Sequence, residues 1–238
     1  MQKEIYFDSD DFKLHGTLHL PDAEKPPVVI GSHGLLSTGD SPKQIALAEK
    51  CNQNHIAYFR YDHRGCGKST GDFASATTFD GRCRDLRNAA ELIRNLPETG
   101  NQLALFGSSF GGAVSLAMAD SLDISSIVTV AAPLCRDWIQ EPYVNDPEQT
   151  PLLKTLDKDK LSFDIRDTLS DIRRVLIFHG DNDPIVPFKN ALELEKNATA
   201  PKMLIRQKNG DHPMSNETHQ REFMQLAVDW FVKFFACH

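Results

Sequence analysis

The stretch LALFGSSFGG at residues 103–112 decides how the rest of the chain is interpreted. Its first four residues are apolar and typical of a buried strand, and residues 110–120 that follow have a composition typical of a helix. Between the two lies the pattern G-x-S-x-G, centred on Ser109. Small residues let the backbone turn sharply there and present the serine hydroxyl above the end of the strand. A structural Gly/Ser-rich turn would look the same, so the surrounding sequence must distinguish the two.

Short β-type runs alternate with helical patterns along nearly the whole chain, which indicates parallel strands joined by crossover helices. The start differs, because two period-two runs predict an antiparallel pair. The predicted strands are residues 4–7, 14–20, 28–32, 56–61, 103–106, 126–132, 175–179 and 202–206, and the predicted helices are residues 41–54, 84–96, 110–120, 188–197 and 217–235. The sequence therefore predicts the α/β class, with an eight-stranded, mostly parallel sheet flanked by helices.

The composition predicts one soluble globular domain over residues 1–238. The chain is 40% hydrophobic and 25% charged, which is ordinary for a single core of this length. Its 14 glycines and 13 prolines are too few for a collagenous or low-complexity chain. A net charge of −7 gives no basic footprint for nucleic acid. No apolar run reaches the roughly 18–20 residues that cross a bilayer, so neither export nor membrane insertion is expected.

The five cysteines are scattered, odd in number and without a C-x-x-C pair, which predicts free thiols in a reducing cytoplasm. Acids at positions 181 and 183 are not followed by a cluster with the spacing of a Ca²⁺ loop, so no metal and no cofactor are expected. The expected partner is a small-molecule substrate, with neither nucleic acid nor membrane. A homodimer stays an open alternative.

One segment interrupts the alternation of strands and helices after the sixth predicted strand. Residues 134–172 mix Trp138 and Tyr143 with three prolines and a charge run at 157–160. A long stretch without regular pattern inside a compact domain is uncommon and usually functional, so this segment is predicted to be a small cap or lid. A solvated connector is the alternative. Trp138 and Tyr143 are the residue types that line apolar pockets while offering a polar group, and they are predicted to bind substrate.

Two later segments supply the groups that a nucleophilic serine needs. A serine hydroxyl is a poor nucleophile until a base removes its proton, and the base must be oriented by a third group. The stretch HGDNDPIVP at residues 179–187 follows an apolar strand and places acids beyond its end. The stretch GDHP at residues 210–213 follows the next strand and places His212 at the same edge. In open parallel sheets this edge is where active sites lie.

Four motifs together make the sequence similar to the α/β-hydrolase superfamily over nearly its whole length: SHGL at residues 32–35, DHRGCGKS at 62–69, GSSFG at 107–111 and HGDNDPIVP at 179–187. Within the superfamily the chain most resembles small bacterial esterases of the cinnamoyl/feruloyl-esterase-like type. The resemblance implies a serine hydrolase whose catalytic groups are the nucleophile Ser109, the acid Asp183 and the base His212. It also implies an oxyanion hole built from the amides of Leu35 and Phe110.

Each assignment in the triad has a rival. Ser108 adjoins Ser109, although only Ser109 has glycines two residues away on both sides. Asp181 is an alternative acid, and so is Asp137 after the sixth strand. His33 is predicted to shape the oxyanion loop, the SHGL turn at residues 32–35, rather than to transfer protons.

A phosphate-binding loop is a competing interpretation of residues 65–70, GCGKST, which mimic the end of G-x-x-x-x-G-K-[ST]. The position of the first glycine is Asp62, whose carboxylate would repel phosphate. Gly71 and Asp72 follow where the anion-binding helix would begin. Nucleotide hydrolysis is therefore not expected.

The function expected from the sequence is hydrolysis of small to medium acyl or aromatic-acyl carboxylic esters through an acyl-enzyme on Ser109. A thioesterase, amidase or peptidase would use the same groups and stays an alternative. A ligand-binding protein on a hydrolase scaffold, with slow turnover, is a second alternative. The substrate itself is not predictable, because one fold hosts many functions.

Overall fold

The computed structural model describes residues 1–138, 156–157 and 159–236 of the chain. Within them lie eight strands: β1 (Gln2–Ser9), β2 (Phe12–His19), β3 (Val28–Ser32), β4 (Ala57–Tyr61), β5 (Leu103–Ser108), β6 (Ser126–Val130), β7 (Arg173–Gly180) and β8 (Thr199–Gln207). They form one sheet in the order β1-β2-β4-β3-β5-β6-β7-β8. The pairs β1/β2 and β2/β4 are antiparallel, and all other neighbours are parallel. The predicted eight-stranded, mostly parallel sheet is confirmed.

Six α-helices are described: α1 (Pro42–Asn52), α2 (Phe73–Ala76), α3 (Phe79–Arg94), α4 (Phe110–Met118), α5 (Lys189–Asn197) and α6 (Glu217–Phe235). Residues of α1 and α6 share one buried cluster, whereas residues of α3, α4 and α5 belong to the other. The sheet therefore lies between two layers of helices. None of the helices in the described part of the chain is long and apolar enough to cross a membrane.

The parallel strands β3 and β5 occupy the centre of the sheet and position the elbow. Both are buried along almost their whole length, and they pair in register from Val28 opposite Leu103 to Ser32 opposite Gly107. Strands covered on both faces read as continuous apolar runs, as these two do. Their carboxyl ends place the loop after β3 beside the turn after β5, where Ser109 lies.

The described parts of the segment predicted as a cap pack against the main body. A 3₁₀ helix covers Arg136–Trp138 and another covers Arg166–Asp171, and Cys135 makes an isolated bridge with Asp164. The ring of Phe163 stacks on that of Phe79 with centroids 4.4 Å apart. Residues 139–155 and 158, including Tyr143, lie outside the described residues, so a lid formed by residues 134–172 stays a prediction.

Candidate active site

The turn at Ser109 has the strained backbone that a nucleophile elbow requires. Ser109 has φ 52° and ψ −124°, in the half of the map that non-glycine residues rarely adopt. Its amide donates to the Val130 carbonyl at 2.8 Å, which anchors the turn to β6. A Cβ at Gly111 would lie 2.2 Å from the Ser32 carbonyl oxygen, so only glycine allows helix α4 to begin this close to β3. The small residues around Ser109 therefore serve close packing as well as the turn itself.

Ser109, His212 and Asp183 form a hydrogen-bonded chain. The Nε2 atom of His212 lies 3.0 Å from Ser109 Oγ, and its Nδ1 atom lies 2.7 Å from Asp183 Oδ2. The other carboxylate oxygen of Asp183 accepts from the amides of Ile185 and Val186 at 2.8 and 2.9 Å. These two bonds hold the carboxylate in one orientation, with its remaining oxygen directed at the imidazole.

The structure separates the triad candidates from their rivals. Asp181 pairs with Arg206 at 2.9 Å and accepts from the Asn209 amide, so it takes no part in the chain to His212. Asp137 lies in the 3₁₀ helix after β6. Ser108 is the last residue of β5, and the hydrogen bond at His212 Nε2 is made with Ser109 instead. The geometry thus places Ser109, Asp183 and His212 together.

The two amides expected to bind an oxyanion flank Ser109. Phe110 is the first residue of α4, so its N–H belongs to the first turn, where helix amides lack partners within the helix. Leu35 lies in the turn after β3, and both residues line the cavity that contains Ser109. Since the dipole of α4 also points its positive end toward Ser109, negative charge on a bound carbonyl oxygen is favoured here.

Arg82 supports the oxyanion loop from behind. This fully buried residue donates to the carbonyl of Gly34 at 3.2 Å and to that of Leu35 at 3.0 Å. Its guanidinium also lies over the Phe110 ring, 5.3 Å from the centroid. Arg82 therefore contacts both residues whose amides are expected to form the oxyanion hole.

His33 is part of the same loop and does not reach the reacting groups. Its Nδ1 lies 2.8 Å from the Gly34 carbonyl, and its Nε2 accepts from the His63 amide at 3.1 Å. This pattern requires a neutral ring with the proton on Nδ1. Burial, followed by the nearby Arg82 charge, lowers the pKa of His33 well below its usual range. The structural role predicted for His33 agrees with these contacts.

A second Ser–His–Asp arrangement lies buried behind the oxyanion loop. Ser32 Oγ lies 2.9 Å from His63 Nε2, and His63 Nδ1 lies 3.2 Å from Asp85 Oδ2. Burial lowers the pKa of His63 to about 4. Burial raises the pKa of the Asp85 carboxyl, but hydrogen bonds from His63 and Arg64 outweigh it and hold that pKa far below its usual value. With all three members of the arrangement inaccessible, this network stabilises the loop and offers no nucleophile.

The segment that mimics a phosphate-binding loop is a structural turn. The Asp62 carboxylate accepts from the amides of Gly39 and Lys68 at 2.8 and 2.9 Å. A Cβ at Gly67, where φ is 52°, would lie 2.2 Å from that carboxylate. Within the segment, the Lys68 amide is therefore directed at an aspartate of the chain itself, and the amides of Gly65, Cys66 and Ser69 donate to backbone carbonyls, so none of these four is left to bind a phosphate.

A cavity of about 560 Å³ opens beside Ser109 and His212. It lies between the oxyanion loop, the beginning of α1 and the region around the beginning of α6. Most of its surface is apolar, with Leu36, Phe106, Met214, Phe223 and Met224 among the lining residues. A volume of this size suits a small ligand. Of the two predicted substrate-binding residues, Trp138 is described only in its backbone and Tyr143 lies outside the described residues.

Two residues of this region were missed by the sequence analysis. Arg82 precedes Leu86 by one helical turn and thus falls on the apolar face of α3, where a charged residue is the signal that was overlooked. Lys43 lines the cavity but lies in the ordinary polar pattern of α1, which offers no local sign of its position.

Comparison with known proteins places the chain among hydrolases. Residues 23–158 match the profile of the family described as serine aminopeptidase, S33. The chain is 28% identical over 185 residues to the uncharacterized protein YfhR of Escherichia coli O157:H7. That alignment covers 77% of this chain and 62% of the length of YfhR. It is 26% identical over 220 residues to the mitochondrial palmitoyl-protein thioesterase ABHD10 of Mus musculus, covering 81% and 71% of the two chains.

Solved structures with the same fold include esterases. Est1E of Butyrivibrio proteoclasticus, solved with ferulic acid, superposes with a TM-score of 0.81 at 20% identity over 98% of this chain and 99% of that one. The Pyrococcus furiosus esterase PF2001 superposes with a TM-score of 0.83 at 18% identity, covering 98% and 91%. The predicted α/β-hydrolase fold is confirmed. Sequence identities as low as these support the fold alone.

Proposed function

The chain belongs to the serine aminopeptidase, S33 family of α/β-hydrolases, and from this premise we propose that it is a carboxylic ester hydrolase acting through an acyl-enzyme on Ser109. The observation that carries the proposal is the hydrogen-bonded chain from Ser109 through His212 to Asp183 at one end of an apolar cavity. A serine in an elbow, a histidine within reach of its hydroxyl and a carboxylate on the far ring nitrogen are the groups that acyl transfer requires.

In the proposed mechanism, Ser109 Oγ attacks the ester carbonyl carbon while His212 Nε2 takes its proton. The tetrahedral intermediate collapses as the imidazolium returns that proton to the leaving alcohol. Water then attacks the carbonyl carbon of the acyl-enzyme while His212 Nε2 accepts its proton. The second tetrahedral intermediate collapses as the imidazolium returns that proton to Ser109 Oγ, which breaks the bond between Oγ and the acyl group and releases the carboxylic acid. Asp183 keeps the imidazole in the tautomer with the proton on Nδ1 and stabilises the imidazolium.

The amides of Leu35 and Phe110 are proposed to bind the developing oxyanion. Donors fixed in place before the reaction stabilise charge without reorganising, and one such donor is typically worth about 10²–10³ in kcat. The loop that carries Leu35 is held by the buried Arg82 and His33, so the donor on that side is rigid.

The substrates proposed are esters with small to medium acyl or aromatic-acyl groups, which suit a cavity of about 560 Å³. Trp138 and Tyr143 are proposed to contact them from the segment after β6. Thioester hydrolysis is the second candidate, supported by the similarity to the palmitoyl-protein thioesterase ABHD10 of Mus musculus. Hydrolysis of a thioester needs the same serine, histidine and carboxylate, so the first activity assay should include both esters and thioesters.

Active-site labelling followed by turnover measurement tests the proposal. A fluorophosphonate probe is expected to label the wild-type chain on Ser109, as located by mass spectrometry of peptides. Ser109→Ala is expected to show no labelling, and its kcat for ester hydrolysis is expected to be lower by roughly 10⁶-fold, as for other nucleophile knockouts. Ser108→Ala is the matched control and is expected to keep labelling. Labelling on Ser108, or one turnover per active site without steady-state hydrolysis, would contradict the proposal.

A further inference from the structure

The charged residues described in the lining of the cavity beside Ser109 are of one sign, positive. Among its described lining residues none is aspartate or glutamate, and Lys43 is the one lysine or arginine. The chain as a whole carries a net charge of −7. In a chain with more acidic than basic residues, a cavity lining would on average contain more acids than bases. The described lining instead contains one lysine and no acid.

Lys43 is half-buried and has no partner within the described part of the chain. No carboxylate there lies within ion-pair distance of its ammonium group. Burial lowers the pKa of Lys43 to about 8, and the charge of Asp211 opposes this only partly. An ammonium group that has lost water without gaining a partner is costly, and an anion bound beside it would restore the lost interaction.

The beginning of α1 adds further donors at the same place. Ser41 is the N-cap of this 11-residue helix but makes no side-chain capping hydrogen bond, and the first-turn amides of Lys43 and Gln44 lie just beyond Pro42. These groups carry the positive end of the helix dipole. Ser41, Lys43 and Gln44 all line the cavity.

Gln44 supplies an independent observation. It is 1% exposed, and its Oε1 atom accepts a hydrogen bond from Tyr58. Its Nε2 amide group has no hydrogen-bond partner among the described residues. Buried amide donors are almost always paired, so Gln44 is a second polar group at the beginning of α1 whose hydrogen bonding is incomplete among the described residues.

We propose that the α1 end of the cavity is a subsite for an anionic group, so that the natural substrates are esters whose apolar acyl or alcohol portion ends in a carboxylate. Lys43 and the first turn of α1 would bind that carboxylate while the ester carbonyl lies at Ser109. This inference rests on the proposed ester hydrolysis and specifies its substrate class.

Two pairs of esters test the subsite, each pair matched in chain length. Monoethyl adipate and ethyl hexanoate differ in a carboxylate on the acyl side. The second pair, 6-acetoxyhexanoate and hexyl acetate, differs in a carboxylate on the alcohol side. The wild-type enzyme is expected to have a higher kcat/KM for the anionic member of one pair, and that pair identifies the portion that carries the charge.

Lys43→Met is expected to lower kcat/KM for that anionic ester by about 10- to 100-fold, the usual range for a hydrogen bond to a charged group, and to change its neutral partner less than about twofold. Lys43→Arg is expected to keep most of the preference. Lys50→Met removes a lysine from the other end of α1 and is the matched control. The subsite is wrong if wild type prefers the neutral member of both pairs, or if Lys43→Met lowers both members of a pair equally.

Binding to an inactive variant separates this inference from the proposed function. If no ester is turned over, titration calorimetry of Ser109→Ala with monoethyl adipate and with 6-acetoxyhexanoate still reports on the subsite. Binding that is lost in the Ser109→Ala/Lys43→Met double variant supports the subsite even though ester hydrolysis has failed. Failure of both compounds to bind overturns it.

Discussion

Arg82 donates a hydrogen bond of 3.0 Å to the carbonyl oxygen of Leu35, the residue whose amide is proposed to bind the oxyanion. The two residues are 47 positions apart in the chain, and one lies in a helix while the other lies in a loop. The Gly34 carbonyl and the Leu35 N–H belong to the same planar peptide unit and point in opposite directions, so the bond from Arg82 to the Gly34 carbonyl also sets the direction of the Leu35 N–H. We therefore propose Arg82 as a positioning residue for the proposed oxyanion hole.

Arg82→Met is expected to lower kcat by about 10- to 100-fold with a smaller change in KM, because a misdirected amide loses part of what an oxyanion donor provides. The affinity of a trifluoromethyl ketone, which mimics the tetrahedral intermediate, is expected to fall in parallel with kcat/KM. Arg84→Met, on the exposed side of the same helix, is the control and keeps wild-type kinetics. A purely structural role for Arg82 would lower the melting temperature while leaving inhibitor affinity of the folded enzyme unchanged.

Asp183→Asn is expected to leave the fold intact and to lower kcat by up to about 10⁴-fold, since the imidazole loses the carboxylate that fixes its tautomer. Asp181→Asn is the matched control two residues away, where the carboxylate faces Arg206 instead of His212. Steady-state kinetics with one activated ester compares the two. A larger loss in Asp181→Asn than in Asp183→Asn would contradict the assignment of the acid.

The stability of the fold is expected to decrease as the pH falls from about 6.5 to 4. Burial lowers the pKa of His19 and of His63 to about 4 in the folded chain, whereas an unfolded histidine titrates near 6.5. Between these values the unfolded chain binds protons that the folded chain does not, so acid favours unfolding. Above about pH 6.5 both groups are neutral in both states, and their effect vanishes.

A single substitution at His19 measures how much this histidine contributes to the pH dependence of the free energy of unfolding. His19→Gln keeps an acceptor for Arg60 Nε, which lies 2.8 Å from His19 Nε2, but removes the titrating ring. The free energy of unfolding in urea, measured from pH 4 to 7, is expected to decrease less steeply in this variant, by up to about 1.4 kcal/mol per pH unit. His55→Asn, at an exposed position, is expected to keep the wild-type slope. An unchanged slope in His19→Gln would refute the neutral, buried state of His19.

The acyl preference is expected to respond to changes at Met224 and at Trp138. Met224→Ala enlarges the α6 side of the cavity and is expected to shift the ranking of esters by kcat/KM toward longer or aromatic acyl groups.

Trp138→Ala is expected to alter this ranking as well if its side chain contacts substrate, because one methylene of apolar contact is worth about 1–3 kcal/mol. The measurement is kcat/KM for acetate, butyrate, octanoate and cinnamate esters, with the melting temperature. An equal loss on all four esters in Trp138→Ala would assign that residue to anchoring its segment.

Local sequence signals predicted most of the fold. The bounds of β3 and α6 are those predicted, since each has an uninterrupted pattern with clear limits. Helix α3 begins five residues before the predicted start because Thr78 caps it, accepting from the Gly81 amide at 2.8 Å, and this cap precedes the apolar periodicity. The four-residue helix α2 was not predicted, because it is too short to show a period.

For the site, the sequence by itself determined that a serine-containing turn, two acids and a histidine follow recognisable strands in that order, from which the nucleophile turn was predicted. Only the tertiary structure decided which acid faces His212, that Arg82 is buried behind the oxyanion loop, and that Lys43 lines the cavity. These relationships join segments dozens to about a hundred residues apart. Hydrophobic periodicity reports which side of an element is buried, but side-chain contacts between elements depend on how the strands are ordered and how the loops at their ends pack.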